Sequence, residues 1–395
     1  MKTFRRSSGI TLIALVVTIV VLLILAGITI MLIFNENGII AKAREASESS
    51  ERMVEEDEAA LDSMDKQIGN ALGEDTTGKS EVEDAVGKDE GFEETTIIKD
   101  DLENEIVIPG GFKIPDDSGT LVEDGIVIEE ITTGNQYVWI PVGSYKTTSG
   151  AKTNELTRRT FSGASATPIE KGEVIEGTGE NAYKFYGEEN EASCLNQYNI
   201  LNEDDENYKY SLNYFESQAI KNGGFYIGRF EVGKDGSNLV IQQNKLTYYN
   251  VTRDKALEDA KTFSAGNSNT VTSLISSYAW DTALNFICQN SEAGYELAIT
   301  DSQEYGNIDT GNTTASRLYT GTYKYNGEVS DKYSNIYDML GNLYEWTTEY
   351  CQNGAPCTYR GAGFNGGGTG TAERFEDFTY KSYPTLGFRV QLTVE

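Results

Sequence analysis

Apolar residues run from Ile10 to Phe34 with no charged position among them, broken only by threonines and one glycine. At 1.5 Å per residue the run covers roughly 37 Å, against a bilayer hydrocarbon core of about 30 Å, and predicts a membrane-spanning helix. It is too long for the core of a cleaved secretory signal, and it lacks the polar stripe of a surface helix. Asn35-Glu36-Asn37-Gly38 reads as a break. Helical spacing returns to about Leu72, with Ala60, Leu61, Met64, Ile68 and Leu72 forming a narrow apolar seam. That seam suits a stalk packing on its own domain or on neighbouring subunits of a bundle. Residues 73–105 are rich in Glu, Asp, Thr and Gly and predict an acidic linker.

From Ile106 the period changes. Ile106-Val107-Ile108, Gly125 to Ile128 and Gln136 to Pro141 are short apolar runs bounded by glycine and proline, as strands are. A segment of about 144–222, rich in Glu, Asn, Gly and Tyr, reads as a surface insertion, and Gly223 to Val232 returns to strand character. Two helices follow. One has Thr252 as N-cap, with Ala256, Leu257, Ala260 and Phe263 on one side. The other runs from Ser277 to Glu292, with Ala279, Trp280, Ala283, Leu284, Ile287 and Cys288 at helical spacing and Trp280 as a packing residue. The fold class expected is α+β: an N-terminal transmembrane helix and stalk over 10–72, then a mixed domain over 106–395 with short strands, two helices and long loops.

Charge and composition narrow the function. Lys2, Arg5 and Arg6 precede the apolar run, which places the remainder of the chain outside the cell on a single-pass anchor. With 62 acidic against 32 basic residues the net charge is −30, which argues against nucleic acid as a partner. No histidine is present, so Ser-His-Asp and Cys-His catalysis and imidazole zinc sites are excluded. Carboxylate and carbonyl sites remain open, and these suit calcium.

Two resemblances follow from motifs. The basic leader, Ser7-Ser8-Gly9 and then Ile10-Thr11-Leu12-Ile13, resembles the cleavage and methylation signal of type IV prepilins and pseudopilins. It implies a leader over 1–9, a prepilin peptidase acting after Gly9, a methylated Ile10, and pilus or pseudopilus subunits as partners. Where that family usually has a glutamate, this chain has Ala14. Further on, Val138-Trp139-Ile140-Pro141, Phe225-Tyr226-Ile227, Gly341 to Trp346, Arg360-Gly361-Ala362 and Gly387-Phe388-Arg389 occur in order. Together they resemble the formylglycine-generating enzyme, or sulfatase-modifying factor, family, a variant of the C-type lectin fold. The likeness covers 106–394 apart from the insertion.

That second resemblance implies a calcium ion held by the side chains of Asp338 and Glu345 and the carbonyls of Gly341 and Leu343. It also implies mainly structural roles for Arg360 and Arg389. The paired copper-binding cysteines of the enzyme have no counterpart between Arg360 and Gly387, so neither copper nor enzymatic activity is expected. Cys351 and Cys357 flank Gln-Asn-Gly-Ala-Pro, a turn short enough for a disulfide, with a reactive pair as the alternative. Cys194 and Cys288 are a second potential pair. The segment ahead of Gly387 varies in related domains diversified by retroelements, and here it offers Asn365, Glu373, Arg374, Asp377, Tyr380 and Tyr383 as ligand-binding residues. The function expected is a pilin-like surface protein displaying a non-catalytic binding domain. A formylglycine-generating oxidase and a structural pseudopilin cap are the alternatives.

The processing expectation is tested by mass spectrometry of the purified chain. A mature terminus at methylated Ile10, abolished by Gly9→Val, is the expected result; a wild-type terminus that retains Lys2 would contradict it.

Overall fold

Tyr137-Val138-Trp139-Ile140 has no polar residue to turn towards water, so a strand there must be covered on both faces. The structure, a computed structural model, describes residues 79–177, 183–188, 201–300, 306, 319–321, 331–352, 355–364 and 370–395. In it Gln136–Pro141 lies inside a six-stranded antiparallel sheet. The spatial order is Thr270–Leu274, Val390–Val394, Gly224–Gly228, Gln136–Pro141, Val127–Glu130 and Phe112–Lys113. Trp139 sits opposite Tyr226, their rings 5.0 Å apart edge to face, and the Tyr226 hydroxyl donates to the carbonyl of Val107 at 2.9 Å. Gly224 is what lets the indole lie there, since a Cβ on it would meet Trp139 Cζ2 at 2.3 Å.

The second six-stranded sheet is built on the long strand Tyr344–Gln352. On one side it pairs with Cys357–Arg360, which pairs in turn with the edge strand Arg374–Asp377. On the other it meets Lys184–Gly187 near its end and, in parallel, Leu386–Phe388 near its start. Ile175–Glu176 forms the opposite edge.

Three helices of eight residues or more are described: α1 (Leu212–Lys221), α2 (Arg253–Ala260) and α3 (Ser277–Asn290). Each begins at a hydroxyl cap, with Ser211, Thr252 and Ser276 accepting from the amides of Tyr214, Lys255 and Ala279. α2 and α3 are the two helices the periodicity predicts. α3 packs against Gln136–Pro141 and against Tyr344–Gln352, so it lies between the sheets, and every residue from Ser277 to Cys288 is buried. Glu188, fully buried, accepts from the Ser277 amide and hydroxyl at 2.7 Å and places a negative charge at the positive end of this helix.

Several expectations are corrected. The described chain is mostly strand with few helices, not the α+β arrangement led by a transmembrane helix. Among the described residues no helix is long and apolar enough to cross a membrane; the longest has 14 residues. The single-pass membrane placement is corrected on the same finding, and the expected leader, the 10–34 helix and the stalk to 72 lie outside the described residues. The linker assignment also changes. Within 79–105, Glu81–Ala85 is helical, Thr96–Lys99 pairs with Glu105–Ile108, and Val82 and Ile98 join the core. Buried Asp100 organises the turn between those strands by accepting from the amides of Leu102, Asn104 and Val122, each at 2.9 Å. The 144–222 insertion is not merely surface structure: it supplies strands to the second sheet and buries Tyr145, Arg158, Glu188, Leu212 and Phe215.

Candidate functional site

Arg360 and Arg374 are register partners on adjacent strands, so their side chains leave the sheet on the same face. Two guanidiniums side by side in a dry interior repel unless carboxylates separate them. Asp281 of α3 and Glu349 of the long strand do so. Arg360 Nη2 lies 2.7 Å from Asp281 Oδ1, Arg374 Nη2 bonds Asp281 Oδ2, and Arg374 Nε lies 3.0 Å from Glu349 Oε2. The Arg159 amide adds a bond to Asp281 at 2.7 Å, and Arg158 Nη1 reaches Glu349 at 3.4 Å. The side chains of Asp281, Glu349, Arg158 and Arg360 are wholly buried, and that of Arg374 is 5% exposed. Burial on its own would raise the Asp281 carboxyl, but Arg360 and Arg374 outweigh it and hold the group below its usual range.

Beside this network lies a cavity of about 300 Å³. Ile175, Phe185 and Ala298 line it and are buried, and so make its floor, with half-buried Phe161 and Ala372 above them. Thr160, Glu176, Ile299 and Glu373 line it and are exposed, and so mark its mouth. Arg374 completes the wall with its guanidinium turned to Asp281 and Glu349. Ile175–Glu176 and Arg374–Asp377 are opposite edges of one sheet, yet both border this space, so the sheet is curled and the cavity occupies its gap.

The residues predicted for ligand binding divide. Glu373 is at the cavity mouth, whereas the Arg374 guanidinium is a buried structural tie and not a surface contact. Asp377, Tyr380 and Tyr383 lie at the far end of the edge strand in an exposed aromatic patch. There the rings of Phe378 and Tyr380 stack 5.4 Å apart, and Asp377 accepts from the Phe378 amide at 2.8 Å. Phe375, half-buried, stacks on Tyr359 at 5.3 Å and belongs to the packing. Asn365 lies outside the described residues. Sequence reasoning missed Asp281, Glu349, Phe161, Phe185 and Ile299. The one signal was Asp281 as an acid within the otherwise uncharged α3.

The predicted calcium ligands form part of a different buried cluster. Arg389 donates to both oxygens of Glu345, with Nη2 at 2.7 Å and Nε at 3.1 and 3.2 Å, and also to the carbonyls of Gly228 and Tyr337. Asp338 accepts from the Gly321 amide, and Glu231 accepts from the Leu343 amide at 2.9 Å and from Asn342 Nδ2. Glu345 thus faces the Arg389 guanidinium, and Gly341 and Leu343 are buried in the same turn. Among the described residues no group of three or more acidic or thiol side chains is placed to hold a metal. Burial pushes Glu345 up to about 7 against the opposing pull of Arg389, and burial also raises Glu231 well above its ordinary value, helped by Asp338 and Glu345.

The expected disulfide is also corrected. Cys357 pairs in register with Tyr350, which places Cys351 on the other face of the sheet. Cys357 packs in the main core, while Cys351 packs with Ile175 and Phe185 under the cavity floor, and no bond joins them. Burial pushes the Cys351 thiol up to about 12, so it is not a reactive thiolate. Cys194, the other half of the second potential pair, lies outside the described residues, and Cys288 is a buried thiol.

No family model matches the chain, and no curated protein matches it. Among solved structures it is similar to PvdO from Pseudomonas aeruginosa, at 14% identity over 68% of this chain and 97% of that one, with a TM-score of 0.34. It is also similar to CarF, at 14% identity over 44% of this chain and 87% of that one, with a TM-score of 0.30. Likenesses this distant establish neither a shared fold nor a shared activity.

The ion-pair network makes a quantitative prediction. Asp281→Asn leaves two buried guanidiniums without their common negative charge and turns one of the two acceptor oxygens into a donor, and it is expected to cost about 3–5 kcal/mol in chemical denaturation. A carboxyl lowered in the folded state contributes its stability in full above its usual 3.8 and loses it as pH falls through the folded value. The difference between wild type and variant should therefore persist from neutral pH down to about 4 and shrink in stronger acid. A variant within about 0.5 kcal/mol of wild type at pH 7 would contradict the assignment.

Proposed function

We propose that the domain over 79–395 is a non-catalytic binding module that takes a small ligand into the cavity between the two edges of its curled sheet. The observation that carries this reading is the cavity itself, about 300 Å³ with an apolar floor and polar groups at its mouth, the usual build of a ligand pocket. Support also comes from the wall. Arg374 is held by two carboxylates that are themselves wholly buried, so the pocket is shaped before a ligand arrives and binding need not order it. The exposed rings of Phe378, Tyr380 and Tyr383 extend the same edge and offer further contact area to a larger ligand.

The test is a ligand-observed NMR screen of neutral fragments against the full chain and its Ile299→Trp variant. Ile299 is 43% exposed at the mouth, so an indole there obstructs the cavity without disturbing the core. Fragments that bind wild type and lose at least about tenfold in affinity in the variant, with circular dichroism unchanged, are the expected outcome. Hits that ignore Ile299→Trp and disappear instead in the triple variant Asp377→Ala, Tyr380→Ala, Tyr383→Ala would move the site to the aromatic patch.

A further inference from the structure

Resting on the cavity as the binding site, we infer the chemical class of its ligand: an apolar body carrying one positive charge, such as a protonated amine on an aryl or alkyl group. Two carboxylates, Glu176 and Glu373, line the cavity and are exposed, and they come from opposite edges of the sheet, so they flank the mouth from both sides. The floor below them is Ile175, Phe185 and Ala298, which offers no charge and rewards an apolar group.

Among the described residues the one cation in the lining, Arg374, does not reverse this polarity. Its side chain is 5% exposed, and its Nε, Nη1 and Nη2 already donate to Glu349, the carbonyl of Arg159 and Asp281, so its charge is balanced by two buried carboxylates and not offered to the cavity. Glu176 is shared with Lys184 at 3.2 Å, an ion pair in which both side chains are about half exposed or more and which an incoming ammonium can join or displace. Among the described residues Glu373 makes no side-chain ion pair, which leaves its carboxylate available. The chain's net charge of −30 adds a long-range field that gathers cations and disperses anions.

Three probes of one shape separate the possibilities: 2-phenylethylamine, 2-phenylethanol and phenylacetate, titrated into the full chain at pH 7 and low salt by calorimetry. The amine is expected to bind at least about tenfold more tightly than the alcohol, and the acid most weakly. Glu373→Gln should reduce amine affinity several-fold and leave the alcohol unchanged, and Ile299→Trp should weaken both. Equal affinities, a preference for the acid, or indifference of the amine to Glu373→Gln would overturn the cationic class while Ile299→Trp still reports the cavity. Amine binding that ignores Ile299→Trp, or no binding by any probe, would overturn this inference, and binding elsewhere would remove the cavity reading with it.

Discussion

Arg360 and Arg374 stand side by side on neighbouring strands, and much of the second sheet is arranged around the repulsion between them. The chain answers with Asp281 from the helix between the sheets and Glu349 from the long central strand, and it brings in the backbone and side chain of the 158–159 segment as well. Five stretches, from the 158–159 segment to Arg374, are thereby fixed to one point. Breaking a buried pair strands a charge, so none of the five can move independently. This is why the edge strand Arg374–Asp377 can hold its position with a partner on one side only, and why a gap persists where the sheet curls towards its own opposite edge.

The molecule uses the same chemistry a second time with the opposite balance. Around Arg389, three buried carboxyls, Glu231, Asp338 and Glu345, share one guanidinium, and burial raises Glu231 and Glu345 above the usual carboxylate range. Around Asp281, guanidiniums outnumber the acids, and its carboxyl is lowered. The first cluster locks the turn through Gly341 and Asn342 to the core sheet by way of Gly228. The second shapes a wall. In that wall Arg374 is held from behind by two buried carboxylates.

Local pattern carried part of this. Thr252 and Ser276-Ser277 start helices at the places where the spacing of Ala256, Leu257 and Ala260, and of Trp280, Ala283 and Leu284, predicts them, and the uniformly apolar Gln136–Pro141 run is a fully covered strand. Arg360 and Arg389 hold structure, the role expected of them from the resemblance. What failed is non-local. Arg374 resembles a surface recognition residue until its register with Arg360 is known, and Cys351 and Cys357 are neighbours along the chain but face opposite sides of a sheet. The acidic stretch before Ile106 is polar enough for a linker, yet Val82, Ile98 and buried Asp100 dock it. Cavity walls from Phe161, Phe185 and Ile299 have no sequence signature, since each is one apolar residue in a different segment.

The central claim is that the buried ion pairs hold the curled edge, and native-state hydrogen exchange on Arg374→Met tests it most directly. Removing the guanidinium should speed exchange about a hundredfold or more in Cys357–Arg360, Arg374–Asp377 and Ile175–Glu176. Amides of Gln136–Pro141, Gly224–Gly228 and Val390–Val394 should keep their protection. Acceleration spread evenly over both sheets, or no acceleration at the edge strand, would contradict the account.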